Sequence, residues 1–208
     1  MVGLRLTQSA VEFEKLVLNA LADELNSFFT KRVRKAMDPV RQSVRKALRK
    51  SSTISELSSG SKLRGALGIP KGTDIVTPII EAVANSTIIV PRPIKVAQKS
   101  FTGGFSINVQ PANFSNLLRQ SFGSIDTKKG GKLPVLDWLL TRGSSVIVAN
   151  FGVKYKPGTG RSGQATMTKG TAPFSIDPIH SGTVANNFVS KALQEDADDI
   201  IKAIMRSF

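Results

Sequence analysis

The sequence predicts an α+β fold, with long N-terminal and C-terminal amphipathic helices flanking a small antiparallel β-rich core with short helical inserts. Three observations lead there. Apolar residues recur every three or four positions over residues 8–50 and again from Thr183 to Arg206. Runs rich in β-branched residues, broken by glycine and proline, lie between them. The helical and strand-like stretches are segregated rather than alternating, which argues against a parallel sheet. The 208 residues, 40% of them apolar, can build a real core in one domain or two small ones. The expected division is a basic helical region, 1–50, and an α+β body with a C-terminal helix, 51–208, integrated as one domain.

In the first helix Phe13, Leu16, Val17, Ala20, Leu21, Leu25 and Phe28 form a stripe. It is expected to resume as Val33, Met37, Val40, Val44 and Leu48. Pro39 removes a hydrogen bond and clashes with the preceding turn, while Asp38 is a good N-cap. Two helices, or one kinked helix, should therefore meet at Asp38–Pro39. Thr53 with Glu56 is a capping-box pattern that opens a short helix at Ile54, and Gly60, Gly65, Gly68 and Pro70 keep any helix there short. A brief helix over Asp74–Val83 should be interrupted near Pro78.

From Thr87 the texture changes. TIIVPRPIKV, with two prolines, reads as an edge or bent strand, and SFTGGFSINVQ as a hairpin turning at its Gly-Gly pair. A short helix near Phe114–Leu118 leads to the basic glycine loop DTKKGGKLP. LPVLDWLLTRG gives one amphipathic helical turn or two, opened by Pro134 and closed by Gly143. SSVIVANFGVKY is the strongest strand, carried by Val146, Ile147, Val148 and Phe151. KPGTGRSGQATMTKG is a glycine-rich surface loop or contact arm running into one more short strand. Phe188, Val189, Ala192, Leu193, Ala197, Ile200, Ile201 and Ile204 share a face of a second long helix, which could pack beside the first. There is no internal repeat and no low-complexity tract.

The charge is concentrated. Of a net +14, the stretch KRVRKAMDPVRQSVRKALRK (31–50) supplies nine Lys or Arg against one Asp. On a helical wheel its apolar residues fall in a sector of about 80° and its basic residues opposite. A solvated face usually mixes signs, so the face reads as an interaction surface, with Arg34, Lys35, Arg41, Arg45, Lys46 and Arg49 as candidate contacts to a partner or to DNA. One Trp, one Tyr and only Gln42 as an amide on that helix argue against base stacking or groove reading.

Catalytic patterns are thin. With no cysteine there is no disulfide, thiolate site or cysteine nucleophile. The single histidine, His180, lacks a second metal ligand at suitable spacing and reads as structural. GTGRSG (158–163) lacks the Lys-Ser/Thr ending of a phosphate loop. Asp126, Asp137 and Asp177 stand apart in cap or turn positions. No enzymatic activity, cofactor or metal is expected. No run reaches the roughly 20 apolar residues of a membrane span, and MVGLRLTQSAVEFEKL has acids where a signal peptide is apolar. A soluble, intracellularly made protein without membrane contact is expected.

The blocks SELSSGSKLRGALGIPKG (55–72), VLDWLLTRGSSVIVANFGVKY (135–155), GRSGQATM (160–167) and FSIDPIHSGTVANNFVSKALQE (174–195) resemble, in similar order, the neck or tail-completion (head–tail joining) proteins of long-tailed bacteriophages. The likeness covers most of residues 50–205. It implies a structural virion protein at the head–tail junction, assembled in the bacterial cytoplasm as a homo-oligomeric ring. Its partners would be the portal or connector, tail-terminator or tail-tube proteins, its own copies, and packaged DNA by non-specific contact. The loop at 156–163 and the Gly103–Gly104 hairpin would then suit subunit contacts. The alternative is a basic non-specific nucleic-acid-binding protein, ribosome- or nucleoid-associated, working through residues 31–50. The assembly reading requires apolar stripes left open in the single chain.

Overall fold

A computed structural model describes residues 9–207, except 59, 99, 112, 127–129 and 171. The tip of the basic glycine loop and the first eight residues therefore lie outside the described residues. The fold is α+β: a long N-terminal helix with shorter helices and small antiparallel sheets.

Helix α1 spans Ala10–Lys50, 41 residues, about 60 Å at 1.5 Å per residue. Ser9 opens it with a capping box closed by Glu12, so both ends of the first turn satisfy each other's orphan groups. It runs unbroken through Pro39. A proline inside a helix costs about 3 kcal/mol, and tertiary packing offsets it. Val33 and Ala36 before it, and Val40 and Val44 after it, are all buried in one core. Asp38 is an exposed mid-helix residue, not a cap.

The next three helices are short: α2 (Ser52–Ser58), α3 (Lys62–Ala66) and α4 (Val76–Ser86). Pro78 does not interrupt α4. It sits in the first turn, where its missing N–H has no intrahelical partner to lose. The Asp74 carboxylate accepts from the N–H groups of Val76 and Thr77 just before it.

Strands β1 (Ile88–Ala97) and β2 (Ser100–Asn108) form an antiparallel hairpin. The Gly-Gly pair is not its turn. The chain reverses between Ala97 and Ser100, and Gly103 lies inside β2 opposite a bulge at Pro93 and Ile94. Gly103 has φ +145°, and a Cβ there would stand 2.6 Å from both Ile94 Cα and Pro93 O. The two prolines bend β1, and glycine on the partner strand accepts the bend.

Helix α5 (Ser115–Leu118) precedes a two-residue pairing of β3 (Ile125–Asp126) with β4 (Lys132–Leu133). Helix α6 (Val135–Leu140) opens at Pro134 and buries all five of its apolar side chains, Trp138 included. A short helix whose apolar face covers more than half of its circumference, with Asp137 on the remaining side, belongs against a core.

The strongest expected strand is shorter than its β-branched residues imply. Only β5 (Phe151–Tyr155) has a ladder, with β6 (Ala165–Lys169). Over residues 144–150 the backbone pairings among the described residues are scattered, Ile147 and Val148 with Phe174 and Asn150 O with Gly170 N–H, and Val146 is exposed. The C-terminal helix is also not one element. It divides into α7 (Phe188–Glu195) and α8 (Ala197–Met205) at Asp196, whose backbone leaves the helical region. The acids crowded over 195–199 repel one another, and Lys50 holds the Asp196 carboxylate at 2.6 Å. Both helices still pack on α1, burying Phe188, Val189, Ala192, Ile200 and Ile204.

Candidate interaction surface

The C-terminal half of α1 lies between two flanks. On one side, Arg45 Nε and Nη2 donate to Glu81 Oε1 and Oε2 of α4, each at 2.9 Å, and Arg41 Nη2 donates to Asn85 O at 3.3 Å. On the other, Lys50 pairs with Asp196 and Arg32 Nη1 donates to Ser207 O at 3.4 Å. The reason is angular. Arg41 and Arg45 stand on one shoulder of the wheel and Arg32 and Lys50 on the other, so each can reach the helix packed beside it.

The six candidate contacts therefore divide. Arg41 and Arg45 are half-buried and serve the fold, while Arg34, Lys35, Lys46 and Arg49 point outward. None of these four has a carboxylate within ion-pair distance among the described residues. Hydrogen bonds from the Arg45 guanidinium hold the Glu81 carboxyl below the usual carboxylate range, and the same contact raises Arg45. The basic face is thus part clamp and part open strip.

The first half of α1 departs further from expectation. Its apolar stripe does not resume at Val33. The step from Phe28 to Val33 is five residues, which is about 140° of rotation rather than a return to the same side. Counting at 100° per residue, Phe13, Leu16, Val17, Ala20 and Leu21 centre about 150° from the buried set of the second half. Phe13 is 54% exposed, Leu16 52%, Val17 43% and Leu21 44%. The body side of this segment is occupied instead by buried Ala22, half-buried Leu18 and Asn26, and the β1–β2 hairpin that runs beside them. One outward side of α1 is thus apolar over residues 13–21 and basic over 31–49. Counting from residue to residue exposes this change of side in the sequence itself.

Two other predicted features are held to the body in part. In the glycine-rich loop, Ser162 is buried with its hydroxyl toward Gly65 O, and Arg161 donates to Gly68 O at 2.7 Å and to Asp126 O. Gly160 has φ +70°, and a Cβ there would collide with Ala165 O. The second half of the loop folds back on α3, while Lys156, Pro157 and Gly158 stay exposed. Of the Gly103–Gly104 pair, Gly103 faces the bulge and Gly104 pairs in register with Arg92, on an exposed stretch of β2.

A cleft of about 590 Å³ is lined by Glu56, Lys62, Tyr155, Asp177 and His180, among others. His180 Nδ1 lies 3.1 Å from Thr53 Oγ1, and the Asp177 carboxylate accepts from Ile179 N–H. Burial pushes the Tyr155 hydroxyl upward. These groups brace a turn, and no group of three or more metal-ligating side chains occurs among the described residues. No helix there is long and apolar enough to cross a membrane. Compared with protein-family models, with curated proteins and with solved structures, the chain matches none.

Proposed function

We propose that this chain is a structural subunit of the phage neck, joining head connector to tail as part of a homo-oligomeric ring. The observation that carries the assembly part is the outward apolar side of α1 over Phe13–Leu21, on a chain with a well-filled core elsewhere. Apolar surface presented in a row on a helix is a contact in waiting. The neck assignment rests on the four sequence blocks and their order. In this reading the strip of Arg34, Lys35, Lys46 and Arg49 meets acidic neighbouring subunits or the packaged DNA.

The same strip supports a second reading, a non-specific nucleic-acid-binding protein. Immunogold labelling of particles from a lysate of the source organism separates the two. Gold at the head–tail junction is the expected result. Particles without gold, and protein on ribosomes or nucleoid instead, would overturn the neck reading in favour of the second.

A further inference from the structure

We infer that the arm, the outward side of α1 over residues 10–30, docks on a second copy of this chain, in the groove between α3 and the β5–β6 ladder. The inference specifies the self-contact that the assembly reading requires and rests on that reading.

Spacing and charge select the occupant. Phe13, Leu16, Val17, Ala20 and Leu21 stand at i, i+3, i+4, i+7 and i+8, the order in which a helix sets anchors into a groove. On the wheel Glu12 and Asp23 border that side and Glu24 lies within it. Lys15, the only base over residues 10–30, is on the body side, beside Val96 and Gln98. The outward side of the arm is therefore apolar and acidic. It faces away from its own body, so another molecule must cover it. Two arms laid together would set like charges against each other. A nucleic acid, or a lipid surface with anionic headgroups, would repel the arm.

The body offers a groove of the opposite sign. It measures about 570 Å³ and is lined by Ala66, Leu67, Leu133, Val153, Met167 and Arg161, among others, with no carboxylate. Val153 and Met167 are cross-strand partners, on the face of the ladder that also carries the pair Phe151 and Lys169. Met167 is 46% exposed and Phe151 38%. Arg161 donates to backbone carbonyls, which leaves its charge whole. Neither Arg161 nor Lys169 has a carboxylate within ion-pair distance among the described residues. From Trp138 to Ile176 the chain carries five Lys or Arg and no acid. Of the acids on neighbouring elements, Asp126 stands opposite Lys132 in the β3–β4 ladder, and Glu56 and Asp177 line the next cleft together with Lys62. Apolar anchors with acids beside them thus meet an apolar groove with bases beside it. Arm and groove are different surfaces, so the contact is heterologous, and repetition of it closes a ring or extends a filament.

Sedimentation velocity on the purified full chain tests this without any phage component. The intact chain should associate, and association should weaken as salt is raised. An arm variant, L16Q with L21Q, and a groove variant, M167E with K169E, should each keep the parent melting temperature and sediment as monomers. Mixed, they should give a one-to-one dimer and nothing larger, because only one intact arm meets one intact groove. K169E alone, a change at an exposed position, should weaken association about threefold or more, and serves if the double change lowers the melting temperature. An intact chain that stays monomeric at its highest soluble concentration overturns the inference. So do groove variants that associate like the parent, or a mixture that stays monomeric. Gold at the head–tail junction beside a monomeric chain would remove the docking and leave the neck reading standing; association without gold there would do the reverse.

Discussion

The side-chain amide of Asn26 on α1 is matched to both backbone polar groups of Ile94 on β1: its Oδ1 accepts from Ile94 N–H at 2.7 Å and its Nδ2 donates to Ile94 O at 3.0 Å. Ile94 sits in the bulge, where β2 supplies no regular partner. The carboxamide carries its acceptor and its donors on separate atoms, so one side chain completes both bonds. It clips the hairpin to the helix, and so fixes which side of the arm is covered.

Asn26→Ala should therefore leave two part-buried backbone groups unsatisfied and cost about 1–3 kcal/mol. Thermal melting reads the loss. Hydrogen exchange should show it concentrated in β1 and β2 rather than in α6 or α7.

Gly103→Ala should damage the same place by another route. The added Cβ meets backbone, not a flexible side chain, and φ +145° is strained for any L-residue. A cost of about 1–3 kcal/mol is expected. Gly104→Ala has open space around it and carries only the cost of its positive φ, so it should be the milder of the two in a melting comparison.

How far the sequence discloses these features depends on the range of the forces involved. The buried side of α1 from Val33 to Leu48 is readable because one helix face meets one core, and local spacing reports it. Helix α6 is readable for the same reason. What escapes is set by partners distant in sequence. Residues 144–150 are β-prone, but a strand needs a continuous ladder, and among the described residues Phe174 and Gly170 offer only isolated bonds. Gly103 looks like a turn until Pro93 and Ile94 are placed opposite it. Arg41 and Arg45 look like surface until α4 brings Glu81 and Asn85 beside them. Asp196 divides a helix that apolar spacing would continue, and its carboxylate pairs with Lys50, far back in the chain.

The Arg45–Glu81 pair predicts a pH dependence. The folded Glu81 carboxyl is held below its ordinary value, mainly by hydrogen bonds from Arg45. A depressed folded value means that the contribution is complete above the unfolded pKa, about 4.3, and is lost as pH falls through the folded one. Both side chains are partly exposed, so the coupling in a double-mutant cycle should be about 0.5–1 kcal/mol at neutral pH. Glu81→Gln should lower the melting temperature at pH 7, and the gap from the parent should close as the pH drops below about 4. Asp74, held down by its hydrogen bonds with Thr77 and Val76, adds to the acid sensitivity in the same sense.

Two leucines on α1 should behave oppositely. Leu48 is fully buried, and Leu48→Ala removes core volume at a cost of about 2–5 kcal/mol. Leu16 is half exposed on the outward side, and Leu16→Ala should change the stability of the monomer by no more than about 0.5 kcal/mol. Denaturant titration under monomeric conditions distinguishes them. A large loss at Leu16 would mean that the arm's outward side is already covered within a single chain.

The basic strip can be dissected the same way, because the structure separates charge that clamps from charge that is open. Lys35 and Lys46 stand on the side of α1 away from the body, whereas Arg41 and Arg45 bond to α4. Reversing Lys35 and Lys46 to Glu should leave stability within about 0.5 kcal/mol of the parent. Reversing Arg45 puts a carboxylate beside Glu81 and should destabilise the fold. If phosphate contact runs through the strip, K35E/K46E should also weaken duplex DNA binding, and the plot of log affinity against log salt should become shallower by about 0.9 for each phosphate no longer neutralised. Fluorescence anisotropy over a salt series supplies both numbers. A dissociation constant well below about 10⁻⁶ M at physiological salt, abolished by the two reversals, would favour the nucleic-acid reading over the neck. DNA affinity that ignores them would assign the strip to an acidic protein neighbour and any phosphate contact to lysines elsewhere on the body.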